Sequence, residues 1–186
     1  MSALETRTAS ALTGEEKTIQ LMPAGLFRAN DGRPAGLPGW TLTASSAGAI
    51  INAATVQTND FVIDYEHQGM YASKNGLPAP AAGWFKRLEW RDGEGLFAVD
   101  VRWTARAQEM IAAREYRYIS PIFSFDPKTG VVTRLFSAAI TNTPALDGLT
   151  DIAAAKRQAG GMSDHDREHA NYVLRHFFGK DAPQMK

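Results

Sequence analysis

The 186-residue chain contains no cysteine. That excludes disulfides, a thiol nucleophile, thiolate metal sites and iron–sulfur clusters. Neither sign of charge is in excess, with 20 Lys+Arg against 20 Asp+Glu. A balanced chain has no field to draw nucleic acid or an anionic membrane, so neither is expected as a partner. No apolar run approaches the roughly 18–20 residues that span a bilayer. The opening Met1-Ser2-Ala3-Leu4-Glu5-Thr6-Arg7 lacks the apolar stretch of a secretory signal, and a cytoplasmic location is the expectation. Histidine is scarce, with four in all. Three of them (His165, His169, His176) fall near the C-terminus on one face of a predicted helix, opposite its apolar stripe. Without a third ligand in reach they read as a solvated face, so no metal and no cofactor is expected.

What is present is globular. With 44% hydrophobic residues the chain can bury a core without staples. Residues 1–16 read as a loose arm, and Lys17 to Met22 alternates as a strand. Residues 29–39 form a loop rich in Gly and Pro. Ser45 or Ser46 caps a helix to about Gln57, with Ile50, Ile51, Ala54 and Val56 as its apolar positions. Phe61 to His67 is a strand, and residues 69–82 a loop. Gly83–Trp90 and Gly95–Trp103 are strands joined by the turn Arg91-Asp92-Gly93-Glu94. Thr104 caps a helix to about Glu115, with Ala107, Met110 and Ile111 inward. Tyr116–Phe125 is a strand in which Pro121 argues for an edge, a bulge or a strand end. Val131–Thr141 is the last strand. Beyond a linker at 151–162, Ser163–Phe178 patterns as an amphipathic helix with Ala170, Val173, Leu174, Phe177 and Phe178 along its stripe. These elements predict an α+β fold, mostly β. The expected form is a small, mainly antiparallel barrel or curled sheet flanked by helices, with a main domain over 17–150 and a helical tail over 163–186.

Three features could carry chemistry. His67 is the one histidine upstream of the tail. A period of two groups it with Phe61, Ile63 and Tyr65, and sets Asp64 and Glu66 on the other face with Val62. A bend at the strand end could change that. Ser120 lies inside a hydrophobic segment, where a hydroxyl must find a partner or sit at an opening in the sheet. Ser124 and Ser137 are rivals of the same type. Thr141 and Asn142, just before Thr143-Pro144, could orient an imidazole or donate to an oxyanion, or serve only the turn.

Phe61-Val62-Ile63-Asp64-Tyr65-Glu66-His67-Gln68, Tyr116-Arg117-Tyr118-Ile119-Ser120-Pro121-Ile122-Phe123 and Ile140-Thr141-Asn142-Thr143-Pro144-Ala145-Leu146 together resemble the protease I proteins of phage Mu and Mu-like prophages. Ala81-Ala82-Gly83-Trp84-Phe85 fits the same pattern. The resemblance spans about residues 17–150. It extends, more distantly, to other tailed-phage prohead proteases and the herpesvirus assemblins, serine proteases with a β-barrel core wrapped by helices. It implies a head-maturation serine endopeptidase acting on scaffold and capsid proteins, its own chain among them, inside the immature capsid in the host cytoplasm. Self-association into a homo-oligomer is open. By the same resemblance Ser120 is the nucleophile and His67 the general base. Asp64, Glu66, Ser137, Thr141 and Asn142 remain candidates for a third member or oxyanion support. Residues 163–186 would be a scaffold remnant or a fused segment. The rival readings are a non-catalytic head-assembly module that binds capsid protein, and a hydrolase of a small ester or amide.

Overall fold

The computed structural model describes residues 17–146. The arm at 1–16, the linker at 151–162, the tail helix with its three histidines and the end of the 17–150 domain lie outside the described residues.

Strand β1 (Ile19–Pro23) is followed by two short strands, β2 (Gly25–Phe27) and β3 (Trp40–Leu42). These two pair with each other across the Gly/Pro-rich loop, a pairing with no alternation long enough to predict. Helix α1 (Ala44–Val56) starts two or three residues earlier than a Ser45 or Ser46 cap would give. Thr43 is the cap: its Oγ1 accepts the Ser46 N–H at 3.2 Å, and Ser46 Oγ accepts the Thr43 N–H at 3.0 Å. Ser46 is thus the reciprocal partner in a capping box rather than the cap. Ala47, Ile50 and Ala54 are buried, whereas Val56 in the last turn is 83% exposed.

Strand β4 (Phe61–Tyr65) ends two residues before the sequence pattern suggests, and helix α2 (Gln68–Asn75) occupies the first half of the expected loop. Gly69, Ser73 and Asn75 give this segment little helix propensity. Its start is held by a tertiary contact, and Gly76 ends it in the left-handed region at φ 68°. The two long strands expected over 83–103 are each divided. Strand β5 (Ala81–Phe85) is separated from β6 (Leu88–Arg91), and β7 (Gly95–Ala98) from β8 (Arg102–Trp103). The break has a clear cause. Asp100 Oδ1 accepts the backbone N–H groups of Lys86 at 2.9 Å and Arg87 at 2.8 Å, so a side chain takes donors that a ladder would have used.

Thr104 caps α3 (Ala105–Ala112) as expected, with its Oγ1 accepting the Ala107 N–H at 3.2 Å. Ala107 and Ile111 are buried; Met110 is only half so, and the helix stops three residues short of Glu115. Strands β9 (Tyr118–Phe125) and β10 (Val132–Thr141) form the predicted hairpin. In spatial order the sheets are β1-β7-β6, β8-β5-β4-β10-β9, and β2-β3. The architecture is therefore mixed α+β and mostly sheet, with three helices among the described residues. Of the two expected forms, barrel or curled sheet, a closed barrel is not formed, because the strands divide among separate sheets. Named strands pair antiparallel except β4 with β10, which run parallel. Pro121 lies on β9, an edge strand, where its missing N–H is tolerated.

The core unites Leu21 and Met22 of β1, Leu42, Ile50 of α1, Ile63 and Phe85, with Ile111, Ile119, Ala138 and Ile140. Phe61 and Phe85 stack with centroids 5.1 Å apart. Trp40 meets Phe123 edge-on at 5.0 Å.

The turn between β6 and β7 holds two glycines with different duties. Gly93 has φ 72° and open space where a Cβ would stand. Gly95 has φ 133°, and a Cβ there would lie 2.0 Å from the Met22 carbonyl oxygen on β1. Gly93→Ala should cost only about 1 kcal/mol. Gly95→Ala should cost ~3 kcal/mol or more, because strain and a backbone clash combine where β1 meets β7. Urea unfolding of the two variants checks the difference, and equal losses would contradict it.

Candidate active site

Strand β10 is paired on both sides, and its register sets the site. Ala139 lies opposite Asp64 on β4 and opposite Ser120 on β9. In-register neighbours share a face, so Asp64, Ala139 and Ser120 form one cross-strand row. The outer two are two strand spacings apart, about 10 Å between Cα atoms. The next row along the same face pairs Thr141 with Tyr118, and Thr141 Oγ1 donates to Glu66 Oε2 at 2.6 Å. On the opposite face Ile63, Ala138, Ile140 and Ile119 enter the core. The buried polar side chains among the described residues are Asp64 at 6% exposure, Ser120 at 3% and Thr141 at 2%. All three lie on this one face, in adjacent rows.

The end of β4 builds the rest. Glu66 and His67 both take left-handed backbone, at φ 53° and 57°, so the strand's alternation stops at Tyr65 and the bend that the sequence left open is present. His67 is half-buried at the start of α2. Two carboxylates hold this turn. Asp64 Oδ2 accepts the Gly69 N–H at 2.7 Å. Glu66 takes the Thr141 hydroxyl and, at 3.4 Å, the Asn142 N–H. The Asn142 side-chain amide donates to the Glu115 carbonyl at 2.7 Å, tying the end of β10 to the segment after α3. So Glu66, Thr141 and Asn142 form one network. Met70, one residue past Gly69, is buried. Ser137 is half-buried on the same face one row away, opposite Ile122. Ser124 stands apart, its hydroxyl 3.0 Å from that of Thr133. Two contributors carry no sequence signal: Ala139, the small residue in the middle of the row, and Gly69. A Cβ on Gly69 would lie 2.8 Å from Asp64 Oδ2.

Tyr65 and Tyr116 flank the turn with ring centroids 5.5 Å apart, and Arg106 lies over the Tyr65 ring at 5.9 Å. Burial pushes the Tyr116 hydroxyl pKa up, and the Glu66 charge adds to it. Among the described residues no group of three or more His, Cys, Asp or Glu could hold a metal ion.

Burial raises the Asp64 pKa to about 6. The N–H groups of Gly69, His67 and Asp64 itself pull it back, and the Glu66 charge adds a smaller upward push. Asp64 Oδ1 is buried without a hydrogen-bond partner, which is why desolvation dominates. The folded form binds the proton more tightly than an unfolded aspartate. This group's contribution to stability is therefore fully present below about pH 4 and lost as pH rises through about 6. The stability of the wild type minus that of Asp64→Asn should grow by on the order of 2–3 kcal/mol between pH 7 and pH 4. Denaturant titrations across that range check this. A difference that stays flat would mean that Asp64 is not desolvated.

Comparison with known proteins covers the stretch of chain that holds these segments. Residues 19–153 match the family described as "Mu-like prophage I protein, N-terminal domain". Protease I of Escherichia phage Mu is 38% identical over 164 residues, covering 84% of this chain and 45% of that protein. The Mu-like prophage FluMu I protein of Haemophilus influenzae is 33% identical over 150 residues, covering 76% of this chain and 42% of that protein. The chain thus spans less than half the length of these relatives. No solved structure matches it. The chain belongs to the Mu-like prophage I protein N-terminal domain family.

Proposed function

We propose that this chain is the catalytic domain of a serine endopeptidase that processes scaffold and capsid proteins, itself included, during phage head maturation inside the immature capsid. The observation that supports this most is the row on β4, β10 and β9. A mostly apolar sheet places a buried serine and a buried carboxylate on one face, and the strand bearing the carboxylate bends directly into His67. Burying three polar side chains together costs stability without adding to the core, which is the pattern of a functional site. A relative named as a protease, matched over most of this chain, points the same way.

In this reading Ser120 Oγ attacks the scissile carbonyl carbon. His67 takes the Oγ proton and delivers it to the leaving amine. Backbone N–H groups hold the oxyanion, and water then attacks the acyl-enzyme with His67 again as base. The hydroxyl of Ser120 and the imidazole of His67 are the groups that touch the reacting atoms.

Ser120→Ala and His67→Ala should each lower cleavage of a co-expressed scaffold or capsid substrate by about 1000-fold or more. Ser120→Ala removes one buried oxygen and should change unfolding stability by no more than about 1 kcal/mol. Gel analysis of processing, with thermal unfolding of each variant, checks both. Processing that persists in both variants would sink the assignment and leave an assembly module that binds capsid protein.

A further inference from the structure

Resting on the serine-protease reading, we infer that Asp64 is a positioning residue that sets His67 through the main chain of its turn and not through the imidazole ring. In the usual Ser-His-Asp arrangement the acid accepts a proton-bearing ring nitrogen and fixes the tautomer. Here Asp64 Oδ2 accepts the main-chain N–H of Gly69 at 2.7 Å, and Oδ1 is buried with no hydrogen-bond partner. The bond from Gly69 back to Asp64 closes a short loop around His67. Just past that loop the Met70 N–H donates to the His67 carbonyl at 2.9 Å.

The loop needs that closure. Glu66 and His67 are consecutive non-glycine residues in left-handed backbone, at φ 53° and 57°. Each is disfavoured relative to ordinary conformations and persists only where neighbours over-determine it. Glu66 ties the start of the turn to Thr141 and Asn142 on β10. Asp64 ties its end, from a strand that is itself locked in the sheet. Gly69 is matched to this task, since a Cβ there would come within 2.8 Å of Asp64 Oδ2 and push the carboxylate off its N–H.

The two modes separate on a conservative change. Asparagine offers Gly69 the same carbonyl-type acceptor, so a main-chain tether survives it. An acid that must accept from an imidazolium does not: the corresponding change in a triad costs about 10⁴-fold. The experiment measures cleavage of a purified scaffold substrate by the full chain carrying Asp64→Ala, Asp64→Asn, Gly69→Ala or Ser120→Ala, with hydrogen exchange at the Gly69 amide. Asp64→Ala and Gly69→Ala should lower kcat about 100-fold with KM little changed, as expected for a base displaced by about 1 Å. Asp64→Asn should keep kcat within about fivefold at pH 7, because a neutral acceptor weakens the hydrogen bond without removing it. Gly69 exchange should quicken at least about tenfold in Asp64→Ala and stay slow in Asp64→Asn. Asp64→Asn as inactive as Asp64→Ala would overturn the inference in favour of a ring-orienting acid. Full kcat in Asp64→Ala would remove Asp64 from the site altogether. Full activity in Ser120→Ala would instead bring down the protease reading, and Gly69 exchange, which needs no activity, would still decide whether Asp64 holds the turn. Should Asp64→Ala fail to fold, Asp64→Asn and Gly69→Ala carry the same contrast.

Discussion

The register of β10 is the constraint on which the site depends. Ile140 must enter the core between Tyr65 and Ile119, and Ala138 between Ile63 and Pro121. Because strand side chains alternate with a period of two, fixing those residues inward leaves Ala139 and Thr141 on the other face. Asp64 and Ser120 follow on the neighbouring strands, and Glu66 reaches Thr141 from the turn after β4. A slip of one residue on either side of β10 would drive a carboxylate or a hydroxyl into the hydrocarbon core, at a cost of several kcal/mol. Apolar packing therefore sets the polar row, and no polar interaction has to define it. The alanine in the middle matters for the same reason. A bulkier side chain at 139 would fill the space between Ser120 and Asp64.

The two carboxylates at the end of β4 are neighbours by sequence and differ in environment. Glu66 reaches outward to the Thr141 hydroxyl and remains exposed. Asp64 is buried, with one oxygen bonded and one not. Removing a charged oxygen from water without a partner is unfavourable, and the upward pKa shift is its direct expression. A fold selected for stability alone would hold an apolar residue or an asparagine there. The local conflict between polar chemistry and apolar surroundings, in an otherwise consistent sheet, is the physical mark of a site.

Local chemistry made part of this legible from sequence. Asp92-Gly93 marked the β6–β7 turn, Thr104 marked a helix start, Pro121 narrowed its strand to an edge, a bulge or a strand end, and the period of two set Asp64 on the face opposite Ile63. Ser120, Asp64 and Thr141 stood out by residue type. Their convergence did not, because it depends on a parallel pairing between segments some 75 residues apart, for which no turn signal exists. Helix α2 was hidden for a related reason. Its weak propensity is overridden by one carboxylate reaching forward from β4 to an amide in the helix's first turn. The divided strands over 83–103 were hidden because Asp100 captures two backbone donors across a loop.

The proposed nucleophile and base are held by different means, and the difference has consequences. Ser120 sits in an eight-residue strand paired along its length with β10, so its position is averaged over many ladder bonds. His67 sits in a turn whose shape rests on a few side-chain hydrogen bonds, from Asp64 and Glu66, and on the burial of Met70. Few buried contacts and few ladder bonds place such a turn at the low-stability end of the domain. Mild acid acts on it in two opposed ways. Protonating Asp64 relieves its desolvation and stabilises the chain. It also turns a charge-assisted bond to Gly69 into a neutral and weaker one. Global stability and local order of the base are thus uncoupled near pH 6, so a rise in unfolding stability there does not imply a better-ordered site.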